Sequence, residues 1–269
     1  MQDKTLNQNF IKRFILVVNV AVLVMSFVAL NVALAQECKL NVGWDSWKPY
    51  QYINENNELK GFDIELITAV LNNMGCKLNL DQMPWKRLLR EVKNGRIDIA
   101  AGVTITAERK QWGYFSKHYR EETRVLFVLA ESFEKYKLNS LKDIIDSDFQ
   151  LGVNRGAHNG EYFETLMNDP KFRKHVQFVT SEEQNIKKLR AKNRTNGFIG
   201  DLISGKILLR ENNMLDEVSI YPMNIYSTDI YFLFSKKTLN KEFVERFNYS
   251  LALLKKNGVY ETISQKYFQ

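Results

Sequence analysis

The 269-residue chain predicts an α/β protein made of two successive α/β halves. Two observations carry that expectation. Short apolar runs of strand length alternate with amphipathic runs of helix length, which is the signature of parallel α/β units. The same alternation begins again after the polar stretch Glu131–Asn139, with no repeat of the first half's sequence.

Taken in order, Leu40–Gly43 predicts a short strand. A helix follows over Phe62–Met74, where Ile64, Leu66, Ile67, Val70 and Leu71 form one apolar stripe at helical spacing. Gly75 stands where a helix closes on a left-handed residue. Leu78–Leu80 alternates as a second strand, a helix over Lys86–Lys93 stops at Asn94-Gly95, and Ile97–Ala101 is a buried strand. Leu126–Ala130 has strand composition. In the second half the strands are Leu151–Val153, Val176–Val179, Phe198–Gly200 and Val218–Tyr221. Helices are expected over Glu161–Asn168, Glu182–Lys192 and Ile203–Asn212. The strand Ile230–Phe234 and the helical pair Asn240–Lys256 and Val259–Tyr267 close the chain.

The N-terminus carries a separate signal. Lys12 and Arg13 precede Phe14–Leu34, a run without charge, Gly or Pro, which ends in Ala33-Leu34-Ala35. A basic region, an apolar core and a small-x-small site read as a cleavable secretory leader, residues 1–35, cut after Ala35. The run is also long enough for an uncleaved membrane anchor. Gln36-Glu37 before Cys38 exclude a lipoprotein signal.

The formal charge of +7 is spread along the chain, which argues against nucleic acid as a partner. The densest run, Lys187–Arg194, reads as a solvated helix face. Cys38 and Cys76 each precede a short alternating segment. If those segments are neighbouring parallel strands, the thiols fall side by side and an oxidising compartment lets them pair. The three histidines, His118, His158 and His175, are scattered, so neither a metal nor any cofactor is expected.

Candidate functional residues follow the predicted strands, where open α/β sheets bind ligands. They include Trp44-Asp45-Ser46-Trp47-Lys48-Pro49-Tyr50, Gly61-Phe62-Asp63, Pro84-Trp85-Lys86-Arg87, and Gly102-Val103-Thr104-Ile105-Thr106-Ala107-Glu108-Arg109. Further on stand Gly152-Val153-Asn154-Arg155-Gly156, Gly200-Asp201 and Lys256-Asn257-Gly258-Val259-Tyr260. With this ordered set, residues 38–268 resemble the polar amino-acid family of periplasmic solute-binding proteins, solute-binding family 3.

The resemblance implies the type II periplasmic-binding-protein fold, two α/β lobes joined by two hinge crossovers. Lobe 1 would hold residues 36–130 and 227–269, lobe 2 residues 131–226, with crossovers near 129–133 and 222–228. It implies a monomer in the periplasm that closes on an amino acid or related carboxylate. Its partner would be an inner-membrane ABC permease or a receptor. By the same resemblance Arg109 grips the ligand's carboxylate, and a guanidinium suits that role as a planar, permanently charged fork. Thr104 would donate to the same group, and the Gly102 carbonyl would accept from the ligand's ammonium. Asp201 would pair with that ammonium, and Trp47 and Trp85 would sandwich the side chain. At Ala157 many relatives carry Ser or Thr, which leaves the Ala157 backbone N–H and His158 to contribute from lobe 2.

Other readings stand beside these. Arg109 fits a surface ion pair, Thr106 and Asp201 fit helix N-caps, and Trp47 and Trp85 fit core positions. Asp63 and Asp98 read as structural. Dehydratases on the same scaffold set an acid or base over the substrate. Here only Glu161 and His158 stand near enough, so a binding protein rather than an enzyme is expected.

Overall fold

The computed structural model describes residues 37–191 and 194–268. The expected leader and its cut after Ala35 lie outside the described residues, as do Lys192 and Asn193 of the basic run.

Strand Lys39–Trp44 runs parallel to Lys77–Gln82, with Lys39 opposite Lys77 and Trp44 opposite Gln82. The helix Phe62–Asn73 makes the crossover and buries the expected stripe, from Phe62 through Leu71. Cys38 and Cys76 therefore each precede one residue of a paired set. They are joined in a disulfide, and the register places them side by side as expected. Helix Trp85–Asn94 ends on Gly95 in the left-handed conformation and returns the chain to Ile99–Val103, parallel to the first strand.

The second lobe repeats the construction. Leu151–Asn154 is flanked by parallel strands Val176–Val179 and Gly197–Asp201, with helices Glu182–Arg190 and Leu202–Glu211 packed on the sheet. Phe127, Phe198, Ile186 and Leu209 form the core on one side, and Leu126, Phe149, Phe163 and Phe172 belong to the core on the other. The chain ends in helices Lys241–Lys256 and Val259–Phe268, which pack on Phe62–Asn73 of lobe 1. The Ser250 hydroxyl donates to the Val70 carbonyl there.

Two ten-residue strands, Arg120–Leu129 and Tyr226–Ser235, join the lobes. Arg120–Arg124 pairs antiparallel with Tyr226–Ile230. Beyond that ladder Arg120–Leu129 continues along Gly197–Asp201, while Tyr226–Ser235 continues along Ile99–Val103 and Gly113–Phe115. This shifts two expectations. The strand expected at 126–130 as the end of lobe 1 begins at Arg120 and pairs with the second sheet. The chain passes between the sheets as the ladder 120–124 with 226–230; of the extended crossovers expected near 129–133 and 222–228, the second overlaps this ladder at 226–228 and the first lies past it.

The physical reason lies in Arg120-Glu121-Glu122-Thr123-Arg124. Its composition is that of an exposed loop, yet Arg120, Glu122 and Arg124 are buried while Glu121 and Thr123 are exposed. The period of two is intact, with charges on the inner face. Hydropathy alone hides such a strand.

Candidate functional site

A pocket with about 570 Å³ of empty space, counting the part open to solvent, lies between the lobes. Seven of the expected residues line it: Trp47, Trp85, Gly102, Thr104, Arg109, Ala157 and His158. Asp201 does not.

The lobe 1 wall is built on the turn after Ile99–Val103. Gly102 adopts φ +76, and a Cβ there would stand 2.8 Å from Cζ3 of Trp47, so no larger residue fits without a shift. Its N–H donates to the Tyr119 hydroxyl at 2.9 Å. Thr106 caps the short helix Ala107–Trp112, its hydroxyl accepting from the Arg109 N–H at 3.1 Å. The capping reading of Thr106 is therefore the right one.

That cap turns the Arg109 side chain inward, where 5% of it remains exposed. One guanidinium nitrogen donates to the Thr104 carbonyl at 2.8 Å and the other to the Gly156 carbonyl of lobe 2 at 3.1 Å. Among the described residues no carboxylate comes within 4 Å of it. Burial lowers its pKa, opposed by more distant acids such as Glu108 and Glu164. A guanidinium keeps its charge even so. The result is a desolvated cation without a counter-ion at the pocket wall.

The two tryptophans have separate supports. Behind Trp47, the Arg120 guanidinium lies 4.7 Å from its ring centroid and 3.7 Å from that of Tyr50. Arg120 is itself held by Asp63 through two bonds, 3.0 and 3.2 Å. Asp63 is structural, as expected, and so is Asp98, which accepts from the Asn41 N–H. Trp85 gives its backbone N–H to Asp45 at 2.7 Å and its indole N–H to the Gly156 carbonyl at 3.1 Å. Trp85 thus bridges the lobes as well as lining the pocket.

On the lobe 2 side, Ala157 and His158 follow the strand Leu151–Asn154. His158 lies 3.4 Å from Glu164 and edge-on to Tyr226. Asp201 is 1% exposed, and its Oδ1 accepts from the N–H groups of Ile203 and Ser204 and from the Tyr50 hydroxyl. It caps its helix and ties lobe 2 to lobe 1. With the Trp85 and Arg109 bonds to Gly156, this contact joins the two lobes across the pocket.

Several lining residues escaped the sequence reading. Glu122 and Arg124, joined at 2.5 Å, reach in from the inter-lobe ladder. Glu182, the first residue of its helix, is 5% exposed and accepts from the Ser204 hydroxyl at 2.8 Å. Burial pushes its carboxyl up to about 7. Burial also raises Asp45, to about 6, against the lowering effect of the Trp85 and Ser46 N–H groups. The signals were present: buried-charge alternation at 120, 122 and 124, and an acid just past the end of Val176–Val179.

Four buried polar atoms on lining residues have no protein hydrogen-bond partner: Trp47 Nε1, Arg124 Nε, Gln51 Oε1 and Asn154 Oδ1. Two are donors and two are acceptors. Buried polar groups are ordinarily paired, so this wall suits a ligand that carries both kinds of group. Among the described residues no group of three or more His, Cys, Asp or Glu side chains could hold a metal ion.

Residues 40–269 match the bacterial extracellular solute-binding proteins, family 3. The chain belongs to this family. It is similar to a putative ABC transporter arginine-binding protein 2 of Escherichia coli (strain K12). The two are 27% identical over 231 residues, 83% of this chain and 88% of the relative. A cyclohexadienyl dehydratase of Pseudomonas aeruginosa is 27% identical over 139 residues, 51% of each chain. The solved structure of an ancestral arginine-binding protein bound to arginine superposes with a TM-score of 0.74. It is 25% identical and the match covers 86% of this chain and 98% of that one. The type II fold with two lobes and two crossovers is thus shared. No helix among the described residues is long and apolar enough to cross a membrane.

Proposed function

We infer that this chain is a periplasmic binding protein that shuts its two lobes on an amino acid or related carboxylate and delivers it to an inner-membrane ABC permease. The observation that carries this reading is the buried, unpaired Arg109 fork beside Thr104, facing a pocket with unpaired donors and acceptors. A ligand carboxylate supplies the missing counter-ion bidentately. Trp47 and Trp85 flank the ligand, and Gly102, Ala157 and His158 complete the contact. Lobe 2 groups touch the ligand only when the lobes are shut, and that differential contact drives closure. The similarity to arginine-binding proteins supports an amino acid as ligand. Export by a leader cut after Ala35 and a monomeric state complete the proposal. A receptor in place of the permease would use the same shut form.

The test is a calorimetric titration of the purified protein with L-arginine, L-histidine and small carboxylates, beside Arg109→Ala. Binding by wild type that is lost in the variant supports the reading. Binding that survives the substitution removes it.

A second reading has one observation in its favour. Glu182 is a desolvated acid with a carboxyl at about 7, which suits proton donation in a dehydratase. Incubation with prephenate decides between them, since turnover replaces the binding reading with an enzymatic one.

A further inference from the structure

We propose that Arg120 is a positioning residue for the ligand pocket, a buried guanidinium whose flat face fixes the ring of Trp47 in place. This rests on the binding reading above and deepens it, since Trp47 flanks the ligand under that reading.

The two tryptophans of the pocket are held in different ways. Trp85 begins a ten-residue helix and is tied at two points, its backbone N–H to Asp45 and its indole N–H to the Gly156 carbonyl. Trp47 lies in the loop between strands Lys39–Trp44 and Tyr52–Ile53, its main chain paired with that of Gln51. Its indole Nε1 is buried and has no protein partner. No side-chain hydrogen bond orients this ring, so its place is set by what it packs against. On one side stands Gly102, where a Cβ would come within 2.8 Å of Cζ3. The others are the tilted ring of Tyr50, with centroids 4.6 Å apart, and the Arg120 guanidinium at 4.7 Å.

Arg120 is itself held by a rigid frame. It opens the strand Arg120–Leu129, opposite Ile230 in the inter-lobe ladder. Two of its nitrogens donate to the two carboxylate oxygens of Asp63, at 3.0 and 3.2 Å. Asp63 is fully buried in the first turn of helix Phe62–Asn73. Those two bonds fix the plane of the guanidinium, with the Tyr50 ring 3.7 Å away. A lysine would neutralise Asp63 as well, but as a point charge on a flexible stem with no flat face. Cation–aromatic attraction is strongest where water is excluded, as it is here.

The same frame reaches the pocket and the second lobe. Asp63 Oδ2 also accepts from Gln51 Nε2 at 3.3 Å, and Gln51 lines the pocket beside Trp47. The Tyr50 hydroxyl reaches Asp201 of lobe 2 at 3.0 Å. Arg120 is not among the lining residues. It acts through Trp47, which it sets in register with both the ladder and the inter-lobe contact. A purely structural ion pair would be felt in stability alone. A positioning cation is felt in affinity, and only while Trp47 is there to be positioned.

The experiment titrates L-arginine, L-histidine and succinate in calorimetry into wild type, Arg120→Lys, Trp47→Leu and the double variant. Arg120→Lys alone should weaken each probe that binds by about 2- to 10-fold, the loss of one desolvated cation–aromatic contact. In the Trp47→Leu background the same substitution should change affinity by less than about twofold. A second measurement needs no ligand and decides where Trp47→Leu binds too weakly to titrate. Subtracting the emission of each Trp47→Leu protein from that of its parent isolates Trp47, which acrylamide should quench more strongly in Arg120→Lys than in wild type. Asp63→Asn combined with Arg120→Met removes both charges together, so it should stay folded in thermal melts and show the same gain in quenching. If Arg120→Lys changes affinity equally in both backgrounds, including not at all, the proposal is overturned while the binding reading stands. Wild-type quenching of Trp47 in both Arg120 variants overturns it too. If wild type binds none of the three probes, the binding reading falls and the proposal with it.

Discussion

Three arginines are buried to nearly the same degree, yet they sit in two different electrostatic settings. Arg120 and Arg124, on the ladder between the lobes, each face a carboxylate, Asp63 at 3.0 Å and Glu122 at 2.5 Å. Arg109, on the short helix beside the pocket, faces backbone carbonyls only. Burying a charge costs several kcal/mol unless it is paired (about 3–5 kcal/mol when a partner is removed). The ladder arginines meet that cost within the fold. Arg109 leaves part of it outstanding, which a ligand carboxylate would complete under the proposed function. The contrast separates two arginines that are paired within the fold from one that has no counter-ion among the described residues.

The sharpest way to break this comparison is to remove a partner from the ladder. Asp63→Ala leaves Arg120 buried beneath Trp47, Tyr50 and Tyr119 with no counter-ion. Chemical denaturation should show a loss of about 3–5 kcal/mol of stability. A loss under about 1 kcal/mol, as for an exposed pair, would mean that the ion pair is not structural.

Arg109→Ala should do the opposite. It removes an unpaired buried charge, so the melting temperature of the ligand-free protein should hold or rise. Carboxylate affinity should fall by about 2–5 kcal/mol in calorimetry, the cost of truncating one partner of a buried charge pair. Equal destabilisation of the Arg109 and Asp63 variants would erase the distinction between the two settings.

Much of this was legible in the sequence. The apolar stripe of Phe62–Asn73, the glycine stops at 75 and 95 and the paired positions of Cys38 and Cys76 follow from periodicity and register. That Gly102, Thr104 and Arg109 would meet at one pocket followed from the family resemblance, and their place on one continuous strand–turn–helix brings them together there. What escaped depended on contacts distant in sequence. Whether Asp201 faces a ligand or a helix end depends on Tyr50, 151 positions away. The inward charges of Glu122 and Arg124 look like loop composition until the strand is seen. Glu182 became visible only when Ser204 and the shut lobes enclosed it.

Glu182 supplies the next test, since it is a buried acid lining the same pocket as Arg109. Its carboxyl stands near 7 in the fold against an ordinary 4.5, with burial as the main cause. The native state therefore binds more protons than the unfolded chain between those values. Below pH 4.5 both states are protonated and the group costs nothing. As pH rises through 7 the ligand-free protein loses on the order of 2–3 kcal/mol. Glu182→Gln should be the more stable protein at pH 8 by about that amount and indistinguishable near pH 4. A pH-independent difference in denaturation midpoint would show that the side chain matters through packing alone.

The smallest expected effect concerns the Tyr50 hydroxyl, which joins lobe 1 to Asp201 at 3.0 Å. Phe at this position keeps the ring on which Arg120 stacks, and Asp201 keeps both N–H donors of its helix cap. Only the inter-lobe bond is lost, worth about 0.5–1.5 kcal/mol net. Because that bond runs from one lobe to the other, its loss should act on the open–shut equilibrium more than on either lobe. Tyr50→Phe should therefore weaken ligand affinity about 2- to 10-fold and lower the denaturation midpoint by no more than the loss of one such bond does. Scattering of the ligand-free protein should show a larger radius of gyration. An unchanged radius together with unchanged affinity would mean that the lobes are held by Gly156 and its two donors, Trp85 and Arg109, and that Asp201 serves its helix alone.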